Sequence, residues 1–362
     1  MSNPSIFRIS TTLFIAVLLT MFTPQQGFAH GNHNNPCTGP HSTDAGCNEP
    51  PPPPVTACDT PDFPAFAFSK GIYDGKRGSL SGYSLHLSNS DGSCTVQVLT
   101  NDARESLNIS YRQSGTSGRI VWSQGTETGL GRKDPDRGRS VVKMVDFEVN
   151  AGVISNVEQT TPYMMPPSEG GEALFDIELA PNGEHAYFSY ENEFGGSLNE
   201  LVLGTGARTV LEFTVQHESF NGLGMATNDR IYYTLFGPNV SLHYLDLSTG
   251  DDVTVADRSD AGYTLVKFVE VSVITDGLGN DNLAVSFDNL NTIDLMEVSD
   301  DCDANTTTTC LSEGTAASTY DKIPGRELSL DSTGLLTDFG GNINIIHNGG
   351  TISGGFYPDS AE

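Results

Sequence analysis

From Cys58 onward the chain is dominated by short runs of alternating apolar and polar residues, and the spacing of an amphipathic helix is almost absent. β-Branched and aromatic residues fill these runs, and Gly, Asn, Asp and Ser separate them. Strands are predicted over Phe63–Lys70, Tyr83–Asn89, Cys94–Thr100, Arg119–Gln124, Val141–Val149, His185–Tyr190, Arg230–Phe236, Ser241–Leu247, Asn282–Phe287 and Asn342–Asn348. Asp91-Gly92, Asn182-Gly183 and Asn228-Asp229 sit between apolar runs, where a tight turn needs residues tolerant of left-handed backbone. The pattern predicts one all-β domain over residues 58–362.

The runs recur. Strands with an aromatic or branched burst followed by Ser or Thr begin near Phe66, Ile120, Ala186, Ile231 and Leu283, with a weaker one near Ile343. The spacing suits four-stranded propeller blades with variable loops. Ala173–Leu211 shows one blade in full: "FDIELA" as the inner strand, Asn182-Gly183 as the turn, "HAYFSY" second, "LNELVLG" third and "RTVLEFT" outermost. The expected fold is a β-propeller of six blades, with five or seven left open by the pattern and a pair of two-sheet sandwiches as the alternative.

"FDIELAPNGEHAYFSYEN…GGSLNELVLGTGARTVL" resembles the TolB-like, or PD40, β-propeller repeat. Gly222–Val255 resembles a second copy that lacks the Pro but keeps "YLDLSTG", and Tyr83–Thr100 resembles only the second half of a blade. The resemblance covers about a third of the chain and implies a propeller. It does not imply an activity, because propellers host both binding proteins and enzymes. Propeller lyases that resemble this repeat bind a metal through histidines clustered round the central channel.

The ends change the picture of where the protein works. Arg8 followed by the apolar Leu13–Phe22 and the small residues Gly27–Ala29 reads as an export signal, too short to span a bilayer, with cleavage expected near Ala29. Residues 30–57 are rich in Cys and Pro and end in Pro50–Pro54, which predicts an irregular arm and polyproline spacer. Secreted or periplasmic location follows. In that setting the six cysteines suggest disulfides, with Cys37–Cys47, Cys58–Cys94 and Cys302–Cys310 the local pairings among fifteen connectivities. The full chain carries a formal charge of −28, which becomes −29 once Arg8 leaves with the signal. Nucleic acid and anionic membranes are therefore poor partners.

Candidate chemistry is sparse. "DGLGNDN" (Asp276–Asn282) offers oxygen ligands at close intervals with Gly to bend the backbone, so Asp276, Asn280 and Asp281 are candidate calcium ligands. His30, as the mature N-terminus, together with His33 can chelate copper through amine and imidazole. His86, His185, His217, His243 and His347 are scattered, and His86 and His243 fall inside predicted strands. There is no G-x-S-x-G elbow, P-loop or dinucleotide fingerprint. Gly129–Arg139 concentrates Arg132, Lys133, Arg137 and Arg139 in one connection. The expected role is non-catalytic: binding of a protein or glycan through long loops at Gly125–Ser140, Glu191–Gly196 and Thr275–Asn282. A polysaccharide lyase or hydrolase working in the central channel is the alternative.

Overall fold

Strand after strand pairs antiparallel with its sequence neighbour, and the runs break into six sheets among the described residues. The computed structural model describes residues 57–73, 80–101, 108–124, 140–166, 174–192, 195–214, 218–227, 229–236, 240–257, 268–275, 280–287, 292–298 and the strands within 311–360 given below. Blade 1 holds β1 (Phe66–Tyr73), β2 (Leu80–Ser88) and β3 (Thr95–Asn101). Blade 2 is β4 (Asn108–Ser114), β5 (Ser117–Gln124), β6 (Val141–Asn150) and β7 (Val153–Met164). Blade 3 is β8 (Leu174–Leu179), β9 (His185–Asn192), β10 (Gly195–Val202) and β11 (Ala207–Phe213). Blade 4 is β12 (Ser219–Met225), β13 (Arg230–Phe236), β14 (Ser241–Asp246) and β15 (Asp252–Asp257). Blade 5 is β16 (Phe268–Thr275), β17 (Asp281–Phe287), β18 (Thr292–Val298) and β19 (Leu311–Glu313), with β20 (Ile323–Pro324) also on β18. Blade 6 is β21 (Glu327–Asp331), β22 (Gly334–Asp338), β23 (Asn342–Ile345) and β24 (Gly350–Ser353). The last strand, β25 (Gly355–Ser360), returns to pair with β1 and supplies the inner strand of blade 1.

The innermost strands touch in one closed cycle: β4 on β8, β8 on β12, β12 on β16, β16 on β21, β21 on β25, and β25 on β4. This is a six-bladed ring, closed by pairing the C-terminal strand with the first. The expected blade over Ala173–Leu211 is present strand for strand as β8 to β11.

Alternation in the second strand of each blade builds the ring. Successive side chains of a strand face opposite ways, so each neighbouring blade receives one of two adjacent residues. Trp122 packs in a cluster with Ala67, Leu85 and Leu87 of blade 1, while Val121 packs with Ile177 and Phe188 of blade 3. Tyr187 joins Phe220 and Ile231 of blade 4. Tyr233 faces back to that cluster, and Tyr232 faces forward to Val271 and Leu283 of blade 5. Phe66 and Phe68 meet Leu336, Ile345 and Ile352 of blade 6. Apolar burial on both faces of the sheets of blades 1 to 4 is the main stabilising term there.

The aromatic bursts therefore mark second strands: β1, β5, β9, β13 and β17. The sixth, near Ile343, falls one strand late, on β23. Blade 6 carries "GLLTD" in its second strand, without an aromatic, so the burst moved to the next strand.

Candidate functional site

The inner strands are stitched together by polar groups. Asp176 on β8 is nearly buried and reaches both neighbours. Its Oδ2 accepts from the backbone N–H of Leu223 on β12 at 2.6 Å, and its Oδ1 accepts from Asn108 Nδ2 on β4 at 3.4 Å. Ser110 Oγ of β4 donates to Glu178 Oε2 at 3.0 Å and accepts from Leu179 N–H at 3.0 Å. The Arg112 guanidinium donates to the Leu179 carbonyl at 3.3 Å. Thr227 N–H donates to Thr275 Oγ1, and a Cβ on Gly224 would lie 3.0 Å from the Val271 carbonyl oxygen, so β12 and β16 approach closely. The order of the contacts Asn108–Asp176, Ser110–Glu178 and Arg112–Leu179 requires β4 and β8 to run in the same direction. Replacing Asp176 by Ala is expected to cost about 1–3 kcal/mol, because the buried Leu223 N–H loses its acceptor. Urea unfolding of the two proteins checks this.

Among the described residues, no innermost strand contains a histidine. His86 and His243 sit on third strands, β2 and β14, and His185 on the second strand β9. His86 and His243 occupy the same setting. Each follows a Ser by two positions, which places both side chains on one face of the strand. Ser84 Oγ lies 2.8 Å from His86 Nε2, and Ser241 Oγ lies 2.8 Å from His243 Nε2. Each ring stacks on the aromatic directly across the ladder: His86 on Phe68 at 5.2 Å, His243 on Tyr233 at 5.2 Å. Blade 4 adds a carboxylate, for His243 Nδ1 lies 3.1 Å from Asp252 Oδ1, which also accepts from the Tyr233 hydroxyl at 2.6 Å.

The order Ser241–His243–Asp252 is that of a nucleophile, base and orienting acid. Its setting differs from that of a reactive serine. Ser241 is buried within a strand paired on both sides, and the same Ser–His contact recurs in blade 1 with Phe68 in place of Tyr233. We read the pair as a blade stitch. Burial and then the Asp252 charge push the Tyr233 hydroxyl above its ordinary value. Burial pushes Asp252 up, but hydrogen bonds with His243 and Tyr233 outweigh it and hold the carboxyl low. Burial, with Lys70 nearby, brings the His86 imidazole down to about 4, so it stays neutral at physiological pH.

A further buried cluster joins blades 4 and 5. The Asp281 carboxylate accepts from Tyr232 at 2.7 Å and from Thr275 Oγ1 at 2.8 Å, and it pairs with Arg230 at 3.4 Å. Arg230 lies 4.7 Å over the Tyr244 ring. Of the calcium candidates, Asn280 immediately precedes Asp281 at the entry to β17, and Asp276 lies outside the described residues. No group of three or more His, Cys, Asp or Glu arranged to hold a metal occurs among the described residues.

Cys58 and Cys94 form a disulfide, as the sequence suggested. A disulfide fits an oxidising compartment. Cys37, Cys47, Cys302 and Cys310, the copper candidates His30 and His33, and the basic stretch Gly129–Arg139 lie outside the described residues. No helix among the described residues is long and apolar enough to cross a membrane.

Strand alternation sorts the connections between the two ends of the ring. First-to-second and third-to-fourth turns emerge at one end, and these include the short Gly115-Thr116, Ala151-Gly152 and Leu203–Gly206 turns. Second-to-third connections and the links between blades emerge at the other. There Gln124 and Ser140 bracket residues 125–139, and Asp257 and Phe268 bracket residues 258–267. The strand ends that bracket Gly125–Ser140 lie at this end, and Thr275–Asn282 joins β16 to β17 at the opposite one. Glu191–Gly196 is not the long loop expected, because Glu191 and Asn192 end β9 and pair with Gly196 and Gly195 at the start of β10 in a hairpin.

These features define a β-propeller protein. No protein-family model and no curated protein matches the sequence. Solved propellers match in structure. Nidogen, from a nidogen/laminin complex, aligns with a TM-score of 0.50 and 8% identity over 82% of this chain and 98% of its own. TolB from Acinetobacter baumannii aligns at 0.49 and 11% over 83% and 67%. The periplasmic gluconolactonase of Pseudomonas aeruginosa aligns at 0.41 and 10% over 82% and 99%. At such identities the likeness is one of fold, and the neighbours include both a protein solved with its partner and an enzyme.

Proposed function

We propose that this chain is an exported, non-catalytic binding or scaffold protein that contacts a protein or glycan through loops at one end of the propeller. The observation that carries the reading is the sorting of connections in blades 1 to 4: the strand ends that bracket residues 125–139 and 258–267 lie at one end, and the short turns Gly115-Thr116, Ala151-Gly152 and Leu203–Gly206 lie at the other. Loops on a rigid scaffold are where recognition concentrates. β5 ends at Gln124 and β6 begins at Val141, and the basic stretch Gly129–Arg139 falls in the sequence between those two strand ends. In a chain otherwise rich in acid, it is the segment best suited to an anionic group. The described inner strands bring no histidine to the axis, which favours binding over the channel-enzyme alternative.

Deleting Gly129–Arg139 is expected to leave the melting temperature and the β-sheet circular dichroism close to those of the parent. Capture on immobilised acidic polysaccharide should weaken, most at low salt. Equal capture by both proteins would sink the loop assignment. Turnover of any polysaccharide in a panel of acidic and neutral substrates would overturn the non-catalytic reading.

A further inference from the structure

The segment that enters β1 does not simply lead into the ring; it crosses from blade 2 to blade 1. Ala57 bridges Val153, and Cys58 N–H donates to the Gly152 carbonyl at 2.9 Å, at the start of β7. Gly152 has φ +75°, and a Cβ there would fall 1.9 Å from the Cys58 carbonyl oxygen, so the segment lies directly on the turn. Further along, Asp62 accepts from the Ser90 N–H at 2.9 Å and from the Ser90 hydroxyl, and Ala65 N–H donates to Ser88 at 2.8 Å. Phe63 packs against the cluster that joins blades 1 and 2, in which Trp122 is fully buried. A cleft of about 360 Å³, open to solvent, lies between the segment and blade 2, walled by Thr60 and Phe63 on one side and by Gln113, Val149 and Gly152 on the other. The only covalent tie across this arrangement, among the described residues, is the disulfide from Cys58 to Cys94 at the head of β3.

We propose that the Cys58–Cys94 disulfide latches residues 57–65 as a strap across blades 1 and 2, and that exchange with a dithiol reductant releases the strap and widens the cleft while the propeller stays assembled. Cys58 is 1% exposed and Cys94 is partly exposed, so the entering thiolate attacks Cys94 Sγ. That attack forms a mixed disulfide and breaks the Cys58–Cys94 bond, and Cys58 leaves as a thiolate that takes up a proton. The reductant's second thiol then attacks the mixed disulfide, closes the reductant's own disulfide and frees Cys94 as a thiol. The remaining ties of the strap are a few backbone and side-chain hydrogen bonds near the surface, of the kind that open locally without global unfolding. The ring itself is closed elsewhere, by β25 on β1, and does not depend on the strap.

Hydrogen exchange of the mature chain, read by mass spectrometry with and without dithiothreitol, tests this. Peptides covering 57–66 and 149–155 are expected to exchange at least about tenfold faster after reduction, while blade 3 (174–203) is unchanged. Cys58→Ala/Cys94→Ala should reproduce that pattern without reductant. A variant with Cys37, Cys47, Cys302 and Cys310 all changed to Ala should still respond to it. Gly152→Ala, which forces the strap off its seat with the cysteines intact, should show the same local loss. Unchanged protection over 57–66 on reduction, or loss of protection in blade 3 as well, would overturn the proposal.

Discussion

Asp281→Ala is expected to destabilise the propeller by about 1–3 kcal/mol, the cost of leaving a buried donor without its acceptor. The Asp281 side chain is fully buried at the head of β17, whereas Arg230 keeps about a third of its side chain exposed. The carboxylate satisfies the buried Tyr232 hydroxyl and Thr275 Oγ1 and faces the Arg230 charge. Burial and then the Asp281 charge keep the Tyr232 hydroxyl far above its ordinary value, so it acts only as a donor. Alanine leaves that donor without an acceptor between blades 4 and 5. Urea unfolding in chelator and in calcium separates two roles for this residue. A loss of similar size in both media is expected from the protein contacts named here. A loss confined to the calcium medium would place Asp281 in the ion-binding role suggested by its sequence setting, and a loss below about 1 kcal/mol in both would mean the cluster contributes little.

Acidification should cost a comparable amount through one imidazole. The His86 value in the folded chain is about 4, against 6.5 for the free side chain, with burial the main cause and Lys70 the second. The unfolded chain therefore binds this proton more readily, and stability rises with pH wherever that holds. The contribution is fully present above about pH 6.5 and is lost as pH falls from there to 4, to a total of about 3 kcal/mol. Ser84 Oγ donates to the Lys70 carbonyl and is left to accept from His86 Nε2, so the neutral ring already uses that contact. His86→Gln removes the titration. The melting temperatures of parent and variant should converge, or cross, as pH drops through that window; parallel curves would disprove the linkage.

Much of the fold was legible because blade chemistry is concentrated in second strands. Ile120–Trp122, Ala186–Phe188 and Ile231–Tyr233 must each feed two interfaces, so they are apolar without interruption and stand out in the sequence. Inner strands were harder to read. "NISYRQS" and "SFNGLGM" carry Ser, Asn, Arg and Gly because they stitch to one another by polar contacts and close approach, and neither contrasts with a loop. The outer strand β7 is largely exposed and shows no apolar alternation at all. The site was less legible still. Asp176 bonds to residues 68 positions before it and 47 after it, a relation that no local spacing encodes. One signal was available: "SLH" occurs at Ser84–His86 and again at Ser241–His243, and the repeat marks equivalent third strands. The Asp281 cluster had little: Thr275 faces Asp281 within the β16–β17 hairpin, but Arg230 and Tyr232 join it only once blades 4 and 5 stack.

The pairing of β25 with β1 means that the first blade is finished by a segment synthesised after every other described strand. Until Gly355–Ser360 emerges, the axial edge of Phe66–Tyr73 has no partner, and Phe66 and Phe68 await the final blade. An open sheet edge is a template for another chain, so the nascent protein is exposed to misassembly for as long as β25 is missing. Deleting Gly355–Ser360 would therefore do more than shorten the chain: it would remove the inner strand of blade 1 and leave the circle open at its seam.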